Sequence, residues 1–82
     1  MQSQYWTRPV NVTLEGWNNR RTITATCFAC ECLLTLWPER RGPAYFRALR
    51  TCGEAMRGRS EQAEARRAFI DAAREARILS LN

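Results

Sequence analysis

The sequence predicts an α+β fold, in which a two-stranded antiparallel hairpin is followed by three helices packed on it. Two observations lead to this prediction. Apolar residues alternate with polar ones in the first third of the chain, and they recur at helical spacing in the remainder. The chain has 82 residues, which is the size of one small domain. We therefore expect residues 1–82 to form a single domain with an ordered core from about residue 6 to 79.

The hairpin is predicted from two alternating segments and the turn between them. Residues 8–14 alternate in the manner of a strand with one buried face, and residues 20–25 repeat that pattern. Residues 15–19 contain Gly and Asn, which tolerate the backbone conformations of tight turns. Because two strands alone are only marginally stable, helices must cover the apolar face.

The first helix is predicted from a change of period after residue 25. Pro38 ends this helix, because the residue before a proline is pushed out of helical geometry. Thr24 or Thr26 is expected to cap its start. The stripe that defines it has the spacing i, i+3, i+4, i+7 and consists of Cys30, Leu33, Leu34 and Trp37.

Two further helices are marked by their termini. Pro43 suits the first turn of the second helix, where its missing N–H costs nothing, and Gly58 suits the position after its end. Ser60 is the expected N-cap of a third helix over residues 61–77, and an apolar tail that packs on the domain follows. The predicted core consists of Val10, Val12, Leu14, Ile23, Cys30, Leu33, Leu34, Trp37, Leu49, Cys52, Phe69 and Ala73.

The charge of the chain is moderately positive, with a formal net charge of +5 that is carried by arginine alone. Residues 61–77 hold equal numbers of acids and arginines, so the surplus is scattered over the rest of the chain. No stretch is long and apolar enough to span a membrane, and the N-terminus lacks the apolar centre of a signal peptide. We therefore expect a cytoplasmic protein with reduced cysteines.

Catalytic chemistry finds little support in the sequence. The chain contains no histidine, no glycine-rich phosphate loop and no nucleophile elbow. Many of its acids stand at helical spacing from arginines, which is typical of solvated surface pairs. The expected pairs are Arg50 with Glu54, Arg67 with Asp71, and Asp71 with Arg74. We therefore expect a protein that is not an enzyme and that uses no cofactor.

The four cysteines are the residues that come nearest to a metal or redox motif. Cys27, Cys30 and Cys32 lie close together in the chain, and Cys52 follows later. Four thiolates are a possible zinc set, and a Cys-x-x-Cys pair at a helix N-terminus is a possible redox site. However, the usual second pair of ligands is missing, and Cys30 and Cys52 fall on predicted core stripes. The favoured prediction is that the chain binds no metal and that Cys30 and Cys52 belong to the core.

Two classes of binding function remain. The first is a small protein-interaction module, an adaptor or a homodimer, with Trp6 and Trp17 as candidate contact residues if they are exposed. Such a module predicts an apolar patch, near Trp17 or along an unpaired strand edge. The alternative is a nucleic-acid-binding protein, which predicts arginines that converge without interleaved acids. The arginines concerned are Arg40, Arg41, Arg47, Arg50 and Arg57.

Several short segments of the chain form a recognisable series. They are Arg8-Pro-Val-Asn-Val, Arg21-Thr-Ile, Leu33-Leu-x-x-Trp-Pro38, Gly42-Pro-Ala, Ala48-Leu-x-x-Cys52 and Ala65-Arg-x-Ala-Phe-Ile-x-Ala-Ala-x-Glu-Ala76. Their order and spacing resemble the domain-of-unknown-function 982 family of rhizobia and related alphaproteobacteria. The resemblance covers residues from about Tyr5 to Ile78, and it implies a two-stranded, three-helix domain without an assigned biochemical role or site residues.

The chain departs from the pattern of the family at the start of the first helix. Members usually have a Ser-x-x-Glu capping box there, whereas this chain has Ala25 and Phe28 at the two positions. The reciprocal cap is therefore absent, and one of the neighbouring threonines would have to replace it.

Overall fold

The fold, seen in a computed structural model that describes residues 5–14, 19–39 and 41–80, is the predicted α+β arrangement. A two-stranded antiparallel sheet is followed by three helices. The first helix continues directly into one turn of π-helix. The elements are β1 (Tyr5–Thr13), β2 (Arg20–Ala25), α1 (Thr26–Glu31), its π-helical continuation (Cys32–Leu36), α2 (Pro43–Met56) and α3 (Gln62–Glu75).

Strand β1 begins three residues earlier than predicted and contains a bulge. Val10 pairs with Ile23 and Val12 with Arg21, but the next pair towards the N-terminus is Tyr5 with Ala25. The residues from Trp6 to Pro9 therefore stand opposite Thr24 alone. An excess of residues on one strand bends it away from its partner, so this part of β1 bows outward.

The C-terminal tail packs against β1, as expected. Thr13 N donates to Ile78 O at 2.7 Å, and Ser80 N donates to Asn11 O at 2.9 Å. These bonds place the tail beside the outer edge of β1 at residues 11–13. The bulged part of β1 contacts α3 instead, because Arg66 Nε donates to the carbonyl of Arg8 at 2.8 Å.

The start of α1 differs from the prediction that Thr24 or Thr26 caps it. Ala25 is the N-cap residue, and no side chain caps the helix. The hydroxyl of Thr26 is buried and engaged elsewhere: it accepts from Trp6 Nε1 at 3.0 Å and donates to Gln62 Oε1. Since Gln62 Nε2 in turn donates to Ala55 O at 3.2 Å, this chain of hydrogen bonds joins β1 and all three helices.

The π-helical turn explains why the predicted core position of Leu34 is wrong. The wider turn rotates the buried face, so that Leu33 is fully buried whereas Leu34 is 65% exposed. The carbonyl of Leu33 accepts a hydrogen bond from Tyr45 Oη at 2.7 Å. This bond replaces the i→i+5 bond that Pro38 cannot donate.

Helix α2 begins at Pro43, as predicted, and its N-terminus is capped by a residue from α3. The Glu75 carboxylate accepts from the N–H groups of Gly42 at 3.2 Å, Ala44 at 3.0 Å and Tyr45 at 3.1 Å. A Cβ atom on Gly42 would lie 2.6 Å from Glu75 Oε2. The Glu75 carboxylate can therefore lie this close to the backbone of residue 42 only because that residue is glycine.

The other helix termini confirm some of the predictions and correct others. Gly58 has a φ of 76° directly after the C-cap of α2, which confirms its predicted position. Helix α3 takes Glu61 as its N-cap instead of Ser60, and it ends at Glu75 before the predicted residue 77. Glu61 supplies extended backbone geometry there without a side-chain hydrogen bond.

The core lies between the helices and the inner face of the hairpin. Most of the predicted core residues are buried, although Cys30 and Leu49 are only partly so. An aromatic cluster fills its centre: Phe69 lies 5.9 Å from Trp6 and 5.6 Å from Trp37 between ring centroids, and Trp37 lies 5.9 Å from Tyr45. The Nε1 of Trp37 is buried, without a hydrogen-bond partner among the described residues.

Candidate binding cleft

Helix α3 carries three acids and three arginines, so its charges sum to zero, but two of the arginines lie on the same flank. Its buried face consists of alanines and Phe69. Arg66 and Arg74 lie eight residues apart on the flank that faces β1, and Arg67 lies beside them. On the opposite flank Glu75 reaches the N-terminus of α2. The result is an arginine surface next to the bowed part of β1.

A cleft with two lobes separates β1 from α3, and we refer to it below as the basic cleft. The first lobe has a volume of about 280 Å³ and extends from Tyr5 to Ile70. The second has a volume of about 310 Å³ and continues towards the C-terminal tail at Leu79. The lobes share Arg8, Arg66 and Ile70.

The described residues that line the basic cleft carry charge of one sign only. Four of them are arginines and none is Asp or Glu. Arg66 Nε donates to the carbonyl of Arg8 at 2.8 Å, and Arg67 lies 3.3 Å from the Glu64 carboxylate. Since a guanidinium has five N–H groups, one such bond leaves further donors for a ligand. The remaining arginine of the four, Arg74, lines the second lobe.

Apolar groups accompany the arginines. Ile70 is half-buried between the two lobes, and Tyr5 at one end of the cleft is 68% exposed. The backbone of β1 offers fewer contacts, because Pro9 has no N–H and the Arg8 carbonyl already accepts from Arg66. A ligand in the cleft would therefore be held mainly by side chains.

The arginines that were predicted to form a nucleic-acid surface lie elsewhere, on and around α2. The guanidinium of Arg41 lies over the Tyr45 ring at 5.2 Å from its centroid. Arg47 and Arg50 are exposed on one stripe of α2, and the same spacing brings Glu54 onto that stripe. Arg57 is exposed just after the helix, and Arg40 lies outside the described residues. The acid Glu54 thus shares this stripe with the arginines, whereas the nucleic-acid hypothesis predicted arginines without interleaved acids.

The two tryptophans that were considered as contact residues have different outcomes. Trp6 is only 9% exposed, and its ring packs on Phe69 while its Nε1 donates to Thr26. It forms part of the core beneath the basic cleft instead of an exposed anchor. Trp17 lies outside the described residues.

The ion pairs differ from the three that were predicted. Within the described ranges, carboxylates pair with Arg59, which lies 3.9 Å from Glu54, and with Arg67, which lies 3.3 Å from Glu64. The turn at Gly58 brings Arg59 back beside Glu54, and this competes with the helical pair that Arg50 was expected to form.

The four cysteines, all within the described residues, are free thiols. No three of the His, Cys, Asp or Glu side chains that the structure describes meet in a group that could hold a metal ion. A hydrogen bond from Cys52 lowers the pKa of Cys30 to about 7, and the same contact together with burial raises the pKa of Cys52. Burial raises the pKa of the Cys32 thiol to about 11.

The sequence contains a local signal for the basic cleft that the net charge of α3 hides. Arg66, Ile70 and Arg74 stand at i, i+4 and i+8, which is a stripe on one helix flank. Because residues 61–77 hold equal numbers of acids and arginines, the net charge of the helix does not reveal this stripe. The contribution of Arg8 depends on the tertiary fold and had no local signal.

Comparison with known proteins decides the family. The profile described as "Protein of unknown function (DUF982)" matches residues 8–80. The chain belongs to this family. The NMR structure of the Agrobacterium tumefaciens protein Atu1219 is similar, with a TM-score of 0.78 and 29% identity, covering 100% of this chain and 88% of that one. No curated protein matches the chain. No described helix is long and apolar enough to cross a membrane.

Two of the segments that resemble the DUF982 family meet in the structure. Gly42-Pro43-Ala44 begins α2, and the segment from Ala65 to Ala76 supplies Glu75, which caps that helix. These segments therefore contribute to the packing of α2 against α3. The segment from Ala65 to Ala76 also supplies Arg66 and Ile70 to the basic cleft, on the other flank of α3.

Proposed function

We propose that this chain is a non-enzymatic protein-interaction module, which holds a segment of a partner protein in the basic cleft. The observation that carries the proposal is the lining of the cleft: Arg8, Arg66, Arg67 and Arg74 surround the half-buried Ile70, without a carboxylate among the described lining residues. Positive charge around an apolar centre favours a ligand that is acidic and partly apolar.

The chemistry of arginine supports binding instead of catalysis. Guanidinium groups stay protonated in proteins, so they do not exchange protons with a substrate as general acids or bases do. They are well suited to hold carboxylates through paired hydrogen bonds. The cleft is thus built to hold an anionic group in place.

The dimensions of the cleft favour a protein segment over a nucleic-acid strand. Arg66 and Arg74 are eight residues apart, which corresponds to about 12 Å along the helix. Binding of a nucleic acid without sequence preference requires a longer series of cations that follows the backbone. The apolar centre at Ile70 suits a side chain of a peptide.

A second copy of the chain fits the basic cleft poorly. Each copy has a net charge of +5, and electrostatic complementarity requires the opposite sign at an arginine surface. We therefore propose a different, acidic protein as the partner. We also propose a cytoplasmic location, which the four free thiols support.

Site-specific photo-cross-linking in cells that express the protein tests this function. A benzophenone amino acid replaces Tyr5, which is exposed at one end of the cleft. We expect a cross-linked partner protein that disappears in the charge-reversal variant R8E/R74E. The matched control is R47E/R50E, which changes the net charge equally on the exposed face of α2 and should retain the cross-link.

Three results would contradict the proposal. One is a cross-link that R8E/R74E leaves unchanged, and another is a cross-link that only R47E/R50E abolishes. The third is a cross-link to nucleic acid without any protein. The second result would place the protein partner on α2, and only the third would favour the nucleic-acid alternative.

A further inference from the structure

We infer that the segment held in the basic cleft is extended and carries acidic side chains at positions i and i+4 with an apolar side chain at i+2. The inference rests on the proposed function and specifies the ligand of the same site. It follows from the spacing of Arg66, Ile70 and Arg74 along α3.

The spacing on α3 matches that of an extended chain. Arg66, Ile70 and Arg74 succeed one another at four-residue intervals, which corresponds to about 6 Å per interval along an α-helix. In an extended segment, alternate side chains lie on one face at intervals of about 6.6 Å. Three alternate side chains of the ligand therefore reach the three positions of α3 in register.

The chemistry of each position is complementary to the inferred pattern. A carboxylate at i meets Arg66, and Arg8 lines the same part of the cleft from the β1 wall. An apolar side chain at i+2 meets Ile70, and a carboxylate at i+4 meets Arg74. Paired N–H donors of a guanidinium match the two oxygens of a carboxylate, which provides specificity as well as attraction.

The same geometry argues against two other modes of binding. A helical ligand would carry the matching acids at i and i+8, and two turns of a helix about 10 Å across occupy more space than the lobes of about 280 and 310 Å³ provide. A ligand that adds a β-strand needs a regular strand edge, but β1 is bulged at this point. In addition, Pro9 lacks an N–H, and the carbonyl of Arg8 already accepts a hydrogen bond from Arg66.

Fluorescence anisotropy with three labelled peptides tests the inference. The first contains Glu-Ser-Leu-Ser-Glu between Gly-Ser flanks, and the second has the same composition in the order Glu-Leu-Ser-Ser-Glu, which turns the leucine to the opposite face. The third replaces both glutamates with glutamine. The peptides are titrated with the wild-type protein, R74E and R47E/R50E.

We expect the first peptide to bind the wild-type protein about fivefold more tightly than the second, and the glutamine peptide to bind more weakly still. R74E should weaken binding of the first peptide about tenfold, because it removes an attraction and adds a repulsion. R47E/R50E should bind the first peptide with an affinity within about twofold of the wild-type value, because long-range effects of distant charges are screened.

Several results would overturn the inference. Equal affinity for the first two peptides would refute the spacing, and tight binding of a helical peptide with acids at i and i+8 would refute the extended form. Absence of binding to all three peptides would refute the ligand chemistry. In each case, a protein cross-link at Tyr5 that depends on Arg8 and Arg74 would show that the proposed function itself still stands.

Discussion

The Cys30 thiol shows how one contact between helices changes the chemistry of a single residue. Cys30 is partly buried on α1, and Cys52 is fully buried on α2. The one S–H of Cys52 has two acceptors within reach, the Ala65 carbonyl at 3.8 Å and the Cys30 sulfur. A charged acceptor forms the stronger bond, so donation to the Cys30 thiolate outweighs the desolvation cost of that anion.

The pH dependence of alkylation tests this contact. Because Cys52 lowers the pKa of Cys30 to about 7, iodoacetamide should modify Cys30 with a midpoint near pH 7, whereas Cys32 and Cys52 should react slowly. Peptide mass spectrometry measures the rate at each cysteine. C52A should raise the midpoint of Cys30, and C27S should leave it unchanged. An identical midpoint in C52A would refute the hydrogen bond as the cause.

The stability contribution of Cys30 has a definite sign. Its pKa is lower in the folded chain than the ordinary value of about 8.5 that it has when unfolded. The contribution is therefore fully present above the unfolded pKa, and it is lost as the pH falls through the folded pKa near 7.

At the scale of the elements, Glu75 fixes α2 against α3. Its carboxylate accepts from three backbone N–H groups at the start of α2, which would otherwise lack partners. The negative charge also lies at the positive end of the helix dipole. Since Glu75 is the last residue of α3, a single side chain couples the ends of two helices.

Replacement of this side chain should destabilise the fold. We expect E75A to lower the free energy of unfolding by about 1–2 kcal/mol, because it removes a cap and leaves N–H groups partly buried. Urea denaturation followed by tryptophan fluorescence measures the change. The control E64A removes an exposed carboxylate that is paired with Arg67. It should lower the free energy of unfolding by less than about 0.5 kcal/mol.

A double-mutant cycle identifies the mechanism. G42A places a Cβ where the Glu75 carboxylate lies. It should therefore lower the free energy of unfolding clearly in the wild-type background and hardly at all in the E75A background. Additive effects of the two substitutions would contradict the account.

The sequence was sufficient to predict the elements where the pattern is local. Alternation in residues 8–14 and 20–25 predicted the hairpin, and Pro43 and Gly58 marked α2. Prediction failed at the start of α1 and at Leu34, where tertiary contacts decide. The hydroxyl of Thr26 forms hydrogen bonds with Trp6 and Gln62 instead of capping its own helix. A π-helical turn exposes Leu34.

At the scale of the molecule, the basic cleft arises from features that are distant in the chain. The bulge in β1 moves residues 6–9 away from β2, and α3 presents its arginine flank to them. Arg8 and Arg66 are 58 residues apart, but they are joined by a hydrogen bond. The stripe of Arg66, Ile70 and Arg74 is visible in the sequence, but the net charge of α3 hides it and the contribution of Arg8 depends on the tertiary fold. The sequence therefore pointed to the arginines of α2 instead.

An NMR titration tests whether the basic cleft is the binding site. A glutamate-rich peptide is added to ¹⁵N-labelled protein at low and near-physiological salt, and the amide shifts are mapped on the chain. We predict saturable shifts in residues 5–11 and 62–74 that weaken with salt. Shifts confined to α2 around Arg47 and Arg50, or no saturable shifts in any part of the chain, would contradict the account.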